Sequence, residues 1–232
     1  MPEQAPGRAG RAPVAPGEEA PGEQAPVARS PIAPAPPVQV AHGWQVSARR
    51  SRAELRLRDC TPLAKVLVRG SPDGRMAGAL GVGFGRAARD RHGTLVVGSG
   101  PGEWLLLAPP GMAAEVAGRL PRPADGELVS VLDATHDQAL VRLSGAHAAT
   151  LLARLCAIDL ADEATPDGAA FRSSVAALVT AVVRDDLDGE RSYLLACERS
   201  FGQYLFDALL DAGGELGIDV DGFVAPASDP GV

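Results

Sequence analysis

From about residue 44 onward, hydrophobic runs of strand length alternate with stretches of helical period. Residues 63–69 read as a strand, and Ser71-Pro72-Asp73 opens a short helix, with serine able to cap and proline tolerated at the first helical position. That helix is expected to stop near Gly81. Residues 94–97 and 104–107 form two further strands, joined as a hairpin by Gly98-Ser99-Gly100-Pro101-Gly102, a run of turn formers. Residues 112–120 read as a helix ended by Pro121, and residues 128–133 return as a strand. The order is β-α-β-β-α-β, the split β-α-β or ferredoxin-like pattern of an antiparallel sheet with helices on one face.

A second, related succession follows. Residues 140–143 are a strand, and Ser144 is placed to cap a helix whose Ala148, Leu151, Leu152 and Leu155 fall at i, i+3, i+4 and i+7. Residues 171–175 and 178–183 are strands, and residues 191–197 pair with the latter through a turn marked by Asp188-Gly189. Ser200-Phe201-Gly202-Gln203 fits a capping box for a last helix with Phe201, Leu205, Ala208 and Leu209 as its apolar stripe. Gly213-Gly214 is positioned to end that helix in the left-handed conformation. The pattern therefore predicts an α+β protein of two ferredoxin-like halves, residues 44–134 and 135–222, with a frayed C-terminus over 223–232.

Residues 1–43 have no such period. They hold half of the chain's prolines and neither leucine nor an aromatic residue, so little apolar surface is available to offset the entropy of ordering. A disordered tail is expected there, extended and polyproline-like over 31–37. The chain, 232 residues in all with 46% hydrophobic, is long enough to bury a full core.

Charge and cysteine content narrow the function. A net charge of −7 without a basic stripe disfavours nucleic acid as a partner. No run approaches the roughly 20 apolar residues of a spanning helix, and no secretory leader is evident, so the expectation is a cytoplasmic protein without a membrane partner. Cys60, Cys156 and Cys197 lie far apart with no CxxC pair, which points to reduced thiols and not to a zinc ribbon or disulfide framework. Lys65, the only lysine, sits inside a strand and fits neither a P-loop nor a Schiff base.

The remaining candidates for chemistry are few. Gly81-Val82-Gly83-Phe84-Gly85 and Gly98-Ser99-Gly100-Pro101-Gly102 lack the spacing of a dinucleotide loop, and the second leads into a strand instead of a helix. His136 and His147 lack a carboxylate or cysteine at ligand spacing, so no metal is assigned. Asp133, His136 and Ser144 contain the residue types of a hydrolytic triad, but Ser144 has no nucleophile elbow around it and serves better as a helix cap. Asp185, Asp186 and Asp188 read as a solvated turn.

Asp133-Ala134-Thr135-His136, followed by Val141-Arg142-Leu143-Ser144-Gly145-Ala146-His147-Ala148 and Leu151-Leu152, resembles the signature of the glycine-cleavage T-protein folate-binding superfamily. Within it the likeness is to the gamma subunits of heterotetrameric sarcosine oxidase. Gly100-Pro101-Gly102-Glu103-Trp104-Leu105-Leu106-Leu107, Leu155-Cys156-Ala157-Ile158-Asp159-Leu160 and Glu198-Arg199-Ser200-Phe201-Gly202-Gln203-Tyr204-Leu205-Phe206 extend it to about residues 57–217. The resemblance implies a complex that oxidatively demethylates sarcosine to glycine with release of hydrogen peroxide and passes the one-carbon unit to tetrahydrofolate. It implies that FAD, FMN, NAD, zinc and tetrahydrofolate are bound by other subunits. It also implies that this chain packs against the alpha subunit, with beta and delta in the same assembly.

Asp133, His136 and Gly145 are then landmarks of a vestigial folate-binding fold, and no catalytic or metal residue is assigned. Where relatives have Ser-His this chain has Thr135-His136, and His147 stands where an aspartate is expected. Asp185-Asp186-Leu187 is similar to the T-protein's Asp-Asp-Leu, whose aspartate handles folate. Its spacing from Tyr193 fits a hairpin turn instead. A stand-alone folate-binding aminomethyltransferase-like enzyme and an adaptor recruited through the proline-rich tail are the competing readings.

Overall fold

The runs Ala139-Leu140-Val141-Arg142-Leu143 and Tyr193-Leu194-Leu195-Ala196-Cys197 are buried at every position, and strands of that kind must be covered on both faces. In the computed structural model, which describes residues 26–226, they are the central strands of one of two facing sheets. In chain order the elements are β1 (Ala28–Arg29), β2 (Val38–Ala41), β3 (Trp44–Ser47), β4 (Leu55–Asp59), β5 (Ala64–Arg69), α1 (Arg75–Leu80), β6 (Ala87–Arg89), β7 (Leu95–Gly100), β8 (Glu103–Ala108), α2 (Ala113–Arg119) and β9 (Ser130–Asp133). They continue with β10 (Gln138–Gly145), α3 (Ala148–Leu152), β11 (Ala170–Val175), β12 (Leu178–Arg184), β13 (Ser192–Glu198), α4 (Gly202–Gly213) and β14 (Ile218–Asp221).

Five antiparallel strands in the order β6-β7-β8-β5-β9 make the first sheet. Val66, Val68, Trp104 and Leu106 alternate toward Met76 of α1 and Val116 of α2. Trp104 belongs to this core, 4% exposed, with its indole Nε1 donating to the Val82 carbonyl at 2.7 Å. The second sheet has the order β11-β12-β13-β10-β4-β14. Leu57, Val141, Leu143, Tyr193 and Leu195 pack there on Leu151 and Leu152 of α3 and Leu205 and Leu209 of α4. Between the sheets lies a third core containing Trp44, Leu63, Leu95, Leu107, Leu140, Leu194 and Phe223. The layers thus run helices, sheet, sheet, helices.

Several expectations need correction. β4 falls within residues 44–134, the expected first half, yet it pairs with β10 and with β14 in the second sheet. The two sheets are therefore not two serial halves, and β4 separates β10 from β14. The chain beyond 222 does not fray at once: Phe223 is buried and its amide donates to the Ser47 carbonyl at 3.1 Å. Residues 227–232 lie outside the described residues.

At the other end, residues 26–43 are folded onto the body. Ile32 is 1% exposed in the core between the second sheet and its helices, and the Ala33 amide donates to Gln203 Oε1 at 2.7 Å. A β-carbon on Gly202 would collide with Pro31 and Ala139, so glycine at the start of α4 is what lets this segment lie against the helix. One isoleucine seated in a ready-made pocket suffices here, which an average over a proline-rich window does not register. Of the expected tail, residues 1–25 lie outside the described residues.

Helix ends differ as well. β10 continues through Ser144 to Gly145, and α3 begins three residues later with His147 at its N-cap and no side-chain cap bond. Ser144 is thus a strand residue, not a cap. Gly145, at φ +127, lies against the Glu54 carbonyl, where a β-carbon would collide. The Ser200 capping box is replaced by a 3₁₀ turn at Arg199–Phe201, and Gln203 reaches Ala33 instead of capping back. Phe201 is 45% exposed, and Phe206 takes its expected place in the core. The left-handed residue after α4 is Gly217, not Gly213 or Gly214. α1 likewise starts from Gly74 and not from Ser71.

Candidate functional site

Two chain crossings connect the sheets beside one another, residues 60–63 from β4 to β5 and residues 134–137 from β9 to β10. Lys65, fully buried, fastens both. Its ammonium donates to the Thr61 carbonyl at 2.8 Å and the Leu63 carbonyl at 3.1 Å in one crossing, and to the Thr135 carbonyl at 3.1 Å in the other. Burial pushes the lysine pKa down from 10.5 to about 8, opposed by the nearby Asp59 carboxylate. Asp59 is itself pushed up by burial, offset by bonds from Ser30 and Thr61.

Asp133 and His136 sit in the second crossing. Asp133 Oδ1 accepts from the Thr135 amide at 2.9 Å, an Asx-type turn, and this bonding to Thr135 lowers the carboxyl pKa. The His136 ring stacks on Trp44 with centroids 4.8 Å apart and planes at 18°. Thr135 is buried, its Oγ1 accepting from the Lys65 amide at 3.2 Å. Every one of these contacts shapes the turn. Ser144 is six residues further along extended β10 from Gln138, about 20 Å at about 3.3 Å per residue, so Asp133, His136 and Ser144 do not form a triad. His147 is an exposed residue at the start of α3.

Beside this turn the facing sheets pack closely at Leu95, Leu107, Leu140 and Leu194 and then splay apart. The opening is a cavity of about 200 Å³ floored by Leu67, Leu105, Ala181 and Ala196. Asp137, Arg69, Glu103 and Arg172 line its rim. Arg69 Nε donates to Glu103 Oε2 at 2.8 Å, and Arg172 approaches Glu103 Oε1 at 3.7 Å.

The Asp185-Asp186 pair is not a solvated turn. Asp185 is 7% exposed, and its carboxylate receives Arg142 Nη2 at 2.6 Å and Arg89 Nη2 at 2.7 Å, while Arg142 also donates to Ser192. Asp186 receives Arg184 at 2.8 Å and the Ser192 amide at 3.1 Å. The hairpin turn is confined to Asp188 and Gly189, at φ +53 and +78, the paired positive angles of a type I′ turn. Sequence reasoning missed this node because Arg89 and Arg142 are 96 and 43 residues from Asp185. The available signal was an arginine inside the otherwise apolar run Ala139–Leu143 of β10.

The two glycine runs form no dinucleotide loop. A β-carbon on Gly98 would collide with the Gly83 carbonyl, and one on Gly102 with the Gly70 carbonyl, so those glycines serve close backbone approach within the first sheet. Among the described residues no three His, Cys, Asp or Glu side chains are grouped to hold a metal. Cys60, Cys156 and Cys197 are buried free thiols, and burial pushes Cys197 up to about 11. No helix among the described residues is long and apolar enough to cross a membrane.

The profile of the GCVT N-terminal domain family matches residues 93–228, a span containing Asp133, His136, Gly145 and Asp185. The chain is 31% identical over 145 residues to sarcosine oxidase subunit gamma of Corynebacterium sp. (strain P-1), covering 61% of this chain and 69% of that one. It is 30% identical over 141 residues to the Arthrobacter sp subunit of the same name, covering 59% and 67%. A chain of heterotetrameric sarcosine oxidase from Corynebacterium sp. U-96, solved with pyrrole 2-carboxylate, superposes with a TM-score of 0.59 at 28% identity, covering 73% of this chain and 89% of that one. Glycine cleavage system aminomethyltransferase T from Bartonella henselae gives 0.60 at 18% identity, over 80% and 55%, a likeness of fold alone. The chain belongs to the GCVT family and, within it, to the sarcosine oxidase gamma subunits.

Proposed function

We propose that this chain is a non-catalytic structural subunit of a cytoplasmic heterotetrameric sarcosine oxidase. It packs against the alpha subunit, while beta, delta and alpha carry FAD, FMN, NAD, zinc and the tetrahydrofolate site. The complex converts sarcosine to glycine and hydrogen peroxide and passes the one-carbon unit to tetrahydrofolate. The observation that carries this reading is the Asp185 node. The acidic pair at the position similar to the T-protein's folate-handling motif is taken up by Arg89, Arg142 and Arg184 of the chain itself. Asp133 and His136, the other landmarks, are engaged by Thr135 and Trp44 and shape a turn. Coexpression with alpha, beta and delta subunits tests the reading. The chain alone is expected to be colourless and inert toward sarcosine, and the four chains together to copurify as an active complex absorbing at flavin wavelengths. A chain that stays monomeric in the presence of the other three contradicts it.

A self-sufficient folate-binding protein is the second reading, favoured by the inter-sheet cavity. It requires calorimetric binding of tetrahydrofolate by the isolated chain, abolished when Ala181→Trp fills the cavity floor. Absence of binding at millimolar folate removes it.

A further inference from the structure

The first sheet ends in β9. All four of its residues are exposed, and among the described residues no strand pairs with its outer side. Its register with β5, together with the Ala134 amide donating to the Lys65 carbonyl at 2.8 Å, turns the amides and carbonyls of Ser130 and Leu132 inward. Those of Val131 and Asp133 therefore point away from the sheet. Folded proteins usually blunt such an edge with lysine, proline or a bulge. Here the strand carries none of them, and it exposes apolar side chains, Leu132 at 52% and Val131 at 37%, with Leu128 just before it at 91%.

The charge around the edge is mostly acidic. Residues 122–137 contain Asp125, Glu127, Asp133 and Asp137 against the single Arg122, and Arg119 of the adjoining α2 is held by Glu115. Asp125, Asp133 and Asp137 are exposed, and the neighbouring Arg69 is held by Glu103. A second copy of this chain would bring acid to acid at such an edge. An extended segment with apolar residues at its centre and basic residues at its ends would instead find matching backbone groups, the Leu128 and Leu132 surface, and opposite charge.

We propose that β9 is the docking edge of this subunit, and that it accepts by strand addition an extended, basic-flanked segment of another subunit of the oxidase complex. The inference rests on the reading of the chain as a subunit of that complex. Val131→Pro removes an outward N–H while leaving the bonds to β5 in place, and Leu132→Lys introduces a like charge toward a basic partner. Each variant, folded by circular dichroism, is expected to bind the other three subunits about tenfold or more weakly than the parent, the effect of one or two lost interface bonds. Leu132→Glu keeps the acidic sign and should bind more tightly than Leu132→Lys. In hydrogen exchange followed by mass spectrometry, the peptide covering 128–134 should become protected on assembly of the full complex.

If the complex forms while that peptide exchanges as in the free chain, the docking edge is wrong and the subunit assignment stands. If the parent chain does not assemble at all, the subunit assignment fails and takes this partner with it. Protection that appears in the isolated chain as its concentration rises, and disappears with Val131→Pro, makes the occupant a second copy and overturns the proposal.

Discussion

Two of the buried cations in this fold are held in opposite ways. Arg142 faces a carboxylate, shared with Arg89, inside the second sheet. Lys65 has only main-chain carbonyls as acceptors, at the seam between the sheets. The first arrangement fills one acid with two guanidinium groups, leaving little for a ligand. The second needs no acid and fixes the two crossings that set how the sheets meet. Neither is arranged like a reacting centre, and the contrast separates a node that occupies a landmark from one that shapes the scaffold.

Breaking the first node should have the largest effect. Asp185→Ala strands Arg142 and should destabilise by about 3–5 kcal/mol in urea unfolding, as removal of one partner of a buried pair does. A loss below about 1 kcal/mol would mean that water reaches the node. Lys65→Met keeps the stem and leaves three carbonyls without a donor, but it also removes a buried charge. A net cost of about 1–3 kcal/mol is expected.

The same lysine separates the nodes by pH. Its folded pKa of about 8 lies below the ordinary 10.5, so the unfolded chain binds the extra proton between those values and the lysine's contribution to stability rises with pH across that window. Cys60, Cys197 and Tyr193, all pushed up by burial, act in the reverse direction, with stability lost as pH rises. The lysine term is therefore read as the stability of the parent chain minus that of Lys65→Met, which should grow from pH 8 to 10.5 by up to about 3 kcal/mol. A flat difference would contradict the burial argument.

Smaller effects test the corrected local structure. Gly189→Ala, at φ +78 in the hairpin turn beside the Asp185 node, should cost about 1–2 kcal/mol. Ser144→Ala should change stability by less than about 0.5 kcal/mol, since Ser144 caps no helix, whereas a lost cap would cost about 1 kcal/mol.

What the sequence made legible was local. β5, the β7-β8 hairpin, α2 and the Asp188-Gly189 turn all follow from periods and turn residues within a dozen positions. β4 and β14 escaped because each is short and half charged. Arg56 and Arg58 in β4 are matched by Glu190 and Asp221, 134 and 163 residues away. Ile32 escaped because its pocket is built by residues of the second sheet and α4. At the candidate site the position of Asp133 and His136 in a turn was readable, but their engagement by Thr135 and Trp44 was not. The role of Lys65 depends on a turn 70 residues downstream. In each case the missing information was a tertiary partner.

The central claim is that this chain assembles without carrying the chemistry. Its most direct test is titration of the purified chain with tetrahydrofolate, beside reconstitution with the alpha, beta and delta subunits under sarcosine turnover. The prediction is no folate binding by the isolated chain and a flavin-coloured, peroxide-producing complex that contains it. Folate binding by the isolated chain, with turnover by the other three subunits indifferent to its presence, would contradict the claim.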